Sequence, residues 1–336
     1  MTHGRNVMLG SALVVGLGSS AALSALFLAG AKPGVGPLPA EALSLPSETR
    51  FLVGVDVKRL VASPLYRRYA ASSPAVFSEI KSRTGLDPER DIDRIVVTNT
   101  SEKANSGVVL VWGSIHAAAI SRSVETPDHK DVQRKDLGGE TLFTYEDANG
   151  TSVALALLND HSLLVGGGEA VQKVLANASS GVSPLRSNLP LMALLGRVRL
   201  GATLWMVGDQ SLLAALPRTL PGAGGGNAPS FNLPPLRSLM ATADLDPAVV
   251  FEVEGEAADP AAAKNLADII RGIMALATMQ AQQKPELQSL ASAVSVTNDQ
   301  SRVLLNARLP YELLDSLQGR TAPRPPAPKP PASSRP

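Results

Sequence analysis

Residues 152–165 read SVALALLNDHSLLV, two apolar runs separated by three polar residues. Each run has the length and composition of a strand, and Asn159, Asp160 and His161 between them favour a tight turn. Residues 166–168 are three glycines that turn the chain into a helix over 169–176. This segment therefore predicts an antiparallel hairpin followed by a packed helix, which is the pattern of an α+β fold.

Similar signals recur on both sides of this hairpin. Further strands are predicted over 51–57, 92–98, 108–112, 203–207, 239–245, 249–256, 294–297 and 303–309. Helices are predicted over 64–69, from Pro74, over 189–195, from Pro260 until Pro285 stops or kinks it, and over 311–317. The fold class is therefore α+β, with mostly antiparallel sheets and packed helices.

The order of these elements divides the chain into segments. Two related α+β units are expected, over 49–216 and 236–318, because each runs from a strand through a helix into paired strands. A Gly/Pro-rich linker over 217–235 separates them. A signal-anchor or signal peptide over 1–31 and a spacer over 32–48 precede them, and a Pro-rich disordered tail over 319–336 follows.

The N-terminal segment carries no charged residue from Val7 to Ala31. A helix of this length crosses a hydrocarbon core of about 30 Å. Because Arg5 precedes it and short basic termini stay cytoplasmic, the rest of the chain is expected outside the inner membrane. Cleavage near Ala31 is the alternative, since Ala29, Gly30 and Ala31 fit the small-residue pattern of signal peptidase sites. The unusual length of the apolar run favours retention.

Small residues recur every fourth position of this apolar helix, at Ala12, Gly16, Ser20 and Ser24. Such a ridge allows two membrane helices to approach closely, which would produce a homodimer. An Ala/Gly/Ser-rich composition also creates this spacing by chance.

Composition excludes several classes of protein. The chain has no cysteine, so disulfides, thiolate metal sites and thiol nucleophiles are impossible. Six of its 31 bases flank the leader or lie in the tail, which leaves 25 bases against 30 acidic residues. A net charge near −5 for the body argues against a nucleic-acid partner.

Two patterns suggest hydrolytic chemistry. His116, His129 and His161 are the histidines available to the body, and Ser114 would share a strand face with His116. No G-x-S-x-G elbow accompanies them. Residues 78–81 match S-x-x-K, yet the companion S-D-N and K-T-G motifs of that enzyme class are missing. Neither pattern assigns a catalytic residue.

Charged and glycine-rich clusters suggest binding sites that have simpler explanations. Glu252, Glu254 and Glu256 share one strand face and could gather a cation, although a solvated sheet face has the same pattern. Alternate acidic residues over 87–93 favour a charged turn over a calcium loop. The glycines at 166–168 could hold an anion, but a tight turn is expected. Bases at 58, 59, 67 and 68 could meet an anionic membrane, or form a solvated face. No cofactor-binding or metal-ligating residue is therefore assigned.

Two segments carry a resemblance to a family. Residues 84–92, TGLDPERDI before an apolar strand, and residues 164–171, LVGGGEAV from strand into helix, resemble recurring segments of uncharacterised envelope proteins of Acidobacteria-like bacteria. The likeness covers about residues 50–180. It implies common ancestry and an α+β fold, and it transfers no catalytic residue.

The expected function follows from topology and from the missing motifs. The sequence predicts a membrane-anchored extracytoplasmic protein that binds another protein or an envelope polymer without catalysing a reaction. The alternatives are an envelope hydrolase whose site is assembled from distant residues, and a small-molecule binding module. A histidine within hydrogen-bond reach of a serine and a carboxylate in a deep pocket would favour the hydrolase. A large dry pocket without titratable groups would favour the binding module.

Overall fold

The computed structural model describes residues 38–69, 81, 86–99, 106–125, 132–137, 140–146, 150–209, 235–280 and 285–317. The predicted leader, the start of the helix from Pro74, the linker up to residue 234 and the tail lie outside these residues. The expected membrane helix and its small-residue ridge therefore remain predictions.

The described strands form one antiparallel sheet. Its order is β11-β12-β10-β9-β8-β1-β2-β3-β7-β6-β5-β4. The strands are β1 Phe51–Asp56, β2 Ile92–Asn99, β3 Gly107–Gly113, β4 Gln133–Leu137, β5 Glu140–Glu146, β6 Ser152–Asn159, β7 Ser162–Gly167, β8 Leu204–Gly208, β9 Leu236–Asp244, β10 Val249–Ala257, β11 Val294–Asp299 and β12 Arg302–Leu309.

Helices connect the strands and cover both faces of the sheet. The α-helices are α1 Val57–Ala62, α2 Pro64–Tyr69, α3 Pro88–Asp91, α4 Ala117–Val124, α5 Gly168–Ser179, α6 Leu189–Leu195, α7 Pro260–Gln280, α8 Pro285–Ala293 and α9 Tyr311–Leu317. Two 3₁₀ helices are η1 Ala40–Ser44 and η2 Pro184–Ser187. Capping side chains fix several starts: Asp56 accepts from the Arg59 N–H at α1, and Asn188 accepts from the Leu191 N–H at α6.

Strand alternation gives the sheet two apolar faces, because neighbouring side chains point to opposite sides. Leu52 lies on the first, which we call face A, and Val53 lies on the second, face B. Face A packs against η1, α5, η2 and α6. Face B packs against α7 through Ala263, Leu266 and Ala267, and against α4 and α9. The core is therefore two layers, one on each side of a shared sheet.

The expected mixture of helices and antiparallel strands is confirmed. Helices α2, α6 and α9 have the predicted bounds, and each predicted strand is present with shifts of three residues or fewer at its ends. The structure adds α1, α3, α4, α8, β4, β5 and the two 3₁₀ helices, which were not predicted from the sequence. Helix α7 is described as far as Gln280, and Pro285 begins α8.

Residues 38–48 differ from the expected spacer. Ala42 lies in η1 and Leu45 caps its C-terminal end. Both are fully buried in the core beneath face A. Asn177 of α5 donates to the Ser44 carbonyl at 2.9 Å, and Lys173 pairs with Glu48. Apolar burial therefore makes this part of the chain a component of the body.

The glycines at 166–168 do not form the expected tight turn. Gly166 and Gly167 end β7, and Gly168 begins α5 directly. A side chain at Gly166 would collide with the backbone of β3 at Gly107, and one at Gly168 would collide with Ser152 of β6. Close packing on both sides therefore explains these two glycines better than a turn conformation does.

The sheet continues across the boundary expected between two units. Strand β8, which was placed at the end of the first unit, lies between β1 and β9. Its residues pair with both neighbouring strands. Met206 of β8, for example, lies opposite Val53 of β1 on one side and opposite Ala241 of β9 on the other. The linker at 217–235 therefore does not mark a break in the sheet.

Candidate functional site

The candidate site is a surface cleft of about 600 Å³ between the end of β3, the start of α4 and the β6–β7 turn. Five polar side chains line it, contributed by Ser114, His116, Arg122, Asp160 and His161. All five are exposed. The cleft is therefore open to solvent and offers both cationic and acidic groups.

Backbone hydrogen bonds fix the β6–β7 turn against the end of β3. The Gly113 N–H donates to the His161 carbonyl and the Ile115 N–H to the Asp160 carbonyl, each at 2.9 Å. The Asn159 carboxamide accepts from the His161 N–H at 2.7 Å, which closes the predicted tight turn. Asp160 and His161 are consequently held beside Ser114 and His116.

Ser114 and His116 do not share a strand face as predicted. Strand β3 ends at Gly113, and His116 occupies the N-cap position of α4. The Ser114 N–H instead donates to the Asp91 carbonyl at 2.7 Å, which turns the chain away from the sheet. The pair therefore reaches the cleft from a loop, and not from a strand.

Asp91 is the buried acid beneath this region, with a side chain only 4% exposed. Its carboxylate accepts two hydrogen bonds from the Arg90 guanidinium, at 2.8 and 3.3 Å, and one from the Asp87 N–H at 2.8 Å. The Arg90 hydrogen bonds, followed by the Asp87 N–H and the charge of His116, hold the pKa of Asp91 below its usual range. Asp91 is therefore a structural anion that supports the loop carrying His116.

The cleft does not meet the condition set for a hydrolase. Among the described side chains, neither His116 nor His161 makes a hydrogen bond to a serine or a carboxylate. A serine nucleophile needs its base at that distance and the base needs an orienting partner. His129 lies outside the described residues. The cleft brings together four of the residues singled out by sequence, and it adds Arg122, which no motif indicated.

All three alternating glutamates of β10 have partners in the protein, two of them arginines and the third a serine. Glu252 lies 3.5 Å from Arg199, and Glu254 lies 3.5 Å from Arg302 and also contacts Arg197. Ser238 donates to Glu256 at 3.2 Å. Arg197 and Arg199 follow α6, so the segment after that helix brings the counter-charges to the sheet. Ion pairing therefore takes the place of the cation that this pattern could have bound.

Each acidic residue between 87 and 93 also has its own protein partner. Asp87 caps α3 and contacts Lys81 at 2.5 Å, Glu89 accepts from the Tyr66 hydroxyl at 2.5 Å, and Asp93 pairs with Lys58 at 2.5 Å. The four carboxylates therefore have separate partners. The charged turn expected here is the short helix α3, and Asp93 lies in β2. No group of three metal-ligating side chains occurs within the described residues.

Bases of the S-x-x-K pattern and of the basic cluster form ion pairs within the protein. Ser78 of the S-x-x-K pattern lies outside the described residues, while Lys81 bonds Asp87. Three bases of the basic cluster form ion pairs. Lys58 pairs with Asp93, and Arg59 pairs with Asp56. Arg68 pairs with Asp315 of α9. These bases therefore stabilise the junctions of α1 and α2. No described helix has the length and hydropathy needed to cross a bilayer.

Comparisons with known proteins give little further information. No family model matches this chain, and no curated protein matches it. The chain is similar to a solved structure described as "Structure of crystal form I of TP0453", with 12% identity, 85% of this chain and 97% of that chain covered, and a TM-score of 0.45. A likeness of this size leaves the function to be argued from the residues themselves.

Proposed function

We propose that this chain is a membrane-anchored extracytoplasmic protein whose body binds another protein or an envelope polymer without catalysing a reaction. The observation that carries the proposal is the uncharged stretch from Val7 to Ala31, preceded by Arg5. A segment of this length and composition is favourable in a bilayer, and the preceding base favours a cytoplasmic N-terminus. The body then lies outside the inner membrane.

The cleft supports binding over catalysis. Its five polar side chains, all among the described residues, are exposed. They do not make the serine–histidine–carboxylate hydrogen bonds of a hydrolase with one another. The cleft is also neither dry nor free of titratable groups, which were the features expected of a small-molecule module. The buried polar groups around it, above all Asp91, bond to the protein itself. A macromolecular partner therefore fits the body better than a buried ligand.

We also infer that the body contains two related units. The strands β1-β2-β3-β7-β6 and β8-β9-β10-β12-β11 occur in the same spatial order and the same chain order. The first strands of the two sets, β1 and β8, are antiparallel neighbours at the centre. A twofold axis through that pair would relate the sets, and β4 and β5 would be an insertion in the first. The second unit then begins at β8, before the linker.

Fractionation with N-terminal sequencing of the mature protein tests the anchor. The proposal predicts full-length protein that sediments with membranes and resists extraction at alkaline pH. A matched variant with Leu17→Arg in the middle of the apolar stretch should lose membrane retention, because a charge there is costly. Soluble protein beginning at Lys32 would show that the leader is cleaved, and the anchor proposal would be wrong.

A further inference from the structure

The segment between α5 and β8 is apolar on both of its sides. Leu191, Leu194 and Leu195 of α6 are buried against face A of the sheet. On the outer side of the same helix, Leu189 is 72% exposed, and Val182 before η2 is 48% exposed. A helix that is apolar all round is normally covered on every side. The outer side of this segment therefore presents apolar surface to something other than the sheet.

The positive charge available on this surface comes from one arginine. Between Ala170 and Gly208 the chain has no aspartate or glutamate, but three of its four bases are paired with acids from elsewhere in the chain: Lys173 with Glu48, Arg197 with Glu254 and Arg199 with Glu252. The fourth base, Arg186, forms no ion pair with the described residues. Arg186 of η2 is exposed and lies three residues from Leu189 in sequence. Exposed leucine and valine beside arginine suit the boundary between lipid headgroups and acyl chains of an anionic membrane.

The position of the N-terminal segment indicates which surface of the body lies nearest to the membrane. Leu38 packs against the core on face A, and η1 after it is buried beside Leu185 of η2. Only residues 32–37 separate Leu38 from the end of the apolar stretch. Six residues span at most about 20 Å. An anchored leader therefore holds the layer formed by η1, η2 and α6 close to the bilayer.

A second exposed apolar site lies on the other side of the molecule. Leu276 and Met279, in the last turns of α7, are 51% and 75% exposed. Helix α7 packs on face B through Ala263, Leu266 and Ala267. The sheet separates this site from η1, so the short connection after the leader favours the α6 side.

We propose that the outer surface of η2 and α6, carrying Val182, Arg186 and Leu189, docks on the surface of an anionic bilayer. The inference rests on the proposed anchor, because the tether decides which surface faces the membrane. The docked body would lie with face A toward the lipid. The candidate cleft, between the end of β3, the start of α4 and the β6–β7 turn, shares no residue with this surface and remains available to a partner.

The absence of cysteine makes a site-specific test possible. Val182→Cys and Thr278→Cys, each in the full-length chain, would be labelled with an environment-sensitive fluorophore and reconstituted into vesicles of phosphatidylethanolamine and phosphatidylglycerol. The proposal predicts a blue-shifted emission at residue 182 that is quenched by lipids spin-labelled near the headgroup. The label at Thr278, beside Met279 on α7, should show neither effect.

Two further measurements separate the possible failures. Adding Arg186→Glu and Leu189→Glu to the Val182→Cys variant should reduce quenching several-fold, while the protein still floats with the vesicles. Flotation without quenching at residue 182, or quenching at residue 278 instead, would overturn the docking surface and leave the anchor intact. Failure of the full-length chain to float would overturn the anchor, and the docking inference with it.

Discussion

The indole of Trp205 in β8 occupies the space that a side chain at Gly54 in β1 would fill. The two residues face each other directly in the β1–β8 register. Because the two sets of five strands meet at β1 and β8, this contact joins the two sets. Gly54 is therefore required by packing and not by its backbone conformation.

Replacing Gly54 by alanine should lower the free energy of unfolding by about 1–3 kcal/mol, because the added methyl group overpacks the indole. Trp205→Leu should remove most of that penalty in the double variant, as expected of residues in contact. Urea unfolding of the wild-type protein, the two single variants and the double variant gives the coupling free energy between the two residues.

Gly272→Ala is the matched control, because nothing lies within 4 Å of its Cβ position on α7. There the same change should stabilise by about 0.5–1 kcal/mol, since alanine favours a helix.

Arg271 protects an edge of the sheet. It donates from Nη2 to the Val296 carbonyl at 3.3 Å and to Asn298 Oδ1 at 3.2 Å. Strand β11 is an edge strand, and Gln300 and Ser301 alone connect it to β12. In a hairpin with such a short loop, the Val296 peptide groups point away from β12. An open edge of this kind promotes pairing with another chain.

Arg271→Ala should therefore increase self-association. Light scattering during size-exclusion chromatography should show a concentration-dependent rise in mass. Lys264→Ala is the control, because Lys264 pairs with Asp268 on the same helix and is not among the groups bonded to β11. Equal behaviour of the two variants would mean that Arg271 does not protect the edge.

Asp91 should give stability that depends on pH. Hydrogen bonds from Arg90 hold its pKa below the usual range, so its contribution is complete above about pH 4 and is lost as pH falls through the lowered pKa. Asp91→Asn should lower the free energy of unfolding by about 1–2 kcal/mol at pH 7. The loss is no larger because Arg90 is largely exposed, and solvent weakens its attraction to Asp91. The difference between the two proteins should narrow in strong acid. Asp160→Asn, on the exposed turn nearby, should have little effect at either pH.

The connection between β8 and β9 should tolerate shortening. Gly208 and Leu239 are paired neighbours, so the ends of these strands are already close. Replacing residues 210–234 by about six glycines and serines should raise the free energy of unfolding by about 1 kcal/mol, through a smaller loop-closure entropy. A single cooperative unfolding transition should remain in urea. Two separate transitions would contradict a sheet shared by both halves.

The sequence predicts the apolar strands and the capped helices well, because alternation and caps are local signals. The strands at 152–159 and 162–167 and helix α2 after Ser63 are examples. Strand β4 was missed because its QRKDL sequence is charged along an edge and shows no alternation. Helix α1 was missed, with only Val57 included in the predicted strand, although Asp56 before the helix is a capping signal.

The arrangement around the candidate site was harder to predict. His116 and His161 are 45 positions apart, and only the pairing of β3 with β7 brings them to one cleft. Arg122 belongs to α4, for which no helix was predicted. Arg197 and Arg199, which pair with Glu254 and Glu252, come from the segment after α6, and no local pattern records this long-range contact.

An uncharged N-terminal helix that crosses the inner membrane would place the body outside the cytoplasm. An alkaline phosphatase reporter fused after Pro336 measures this location, because this reporter folds to its active form only outside the cytoplasm. We expect strong phosphatase activity, which Leu17→Arg should abolish. An inactive fusion that is expressed in full, together with a cytoplasmic reporter that is active at the same position, would mean that the body stays inside the cell.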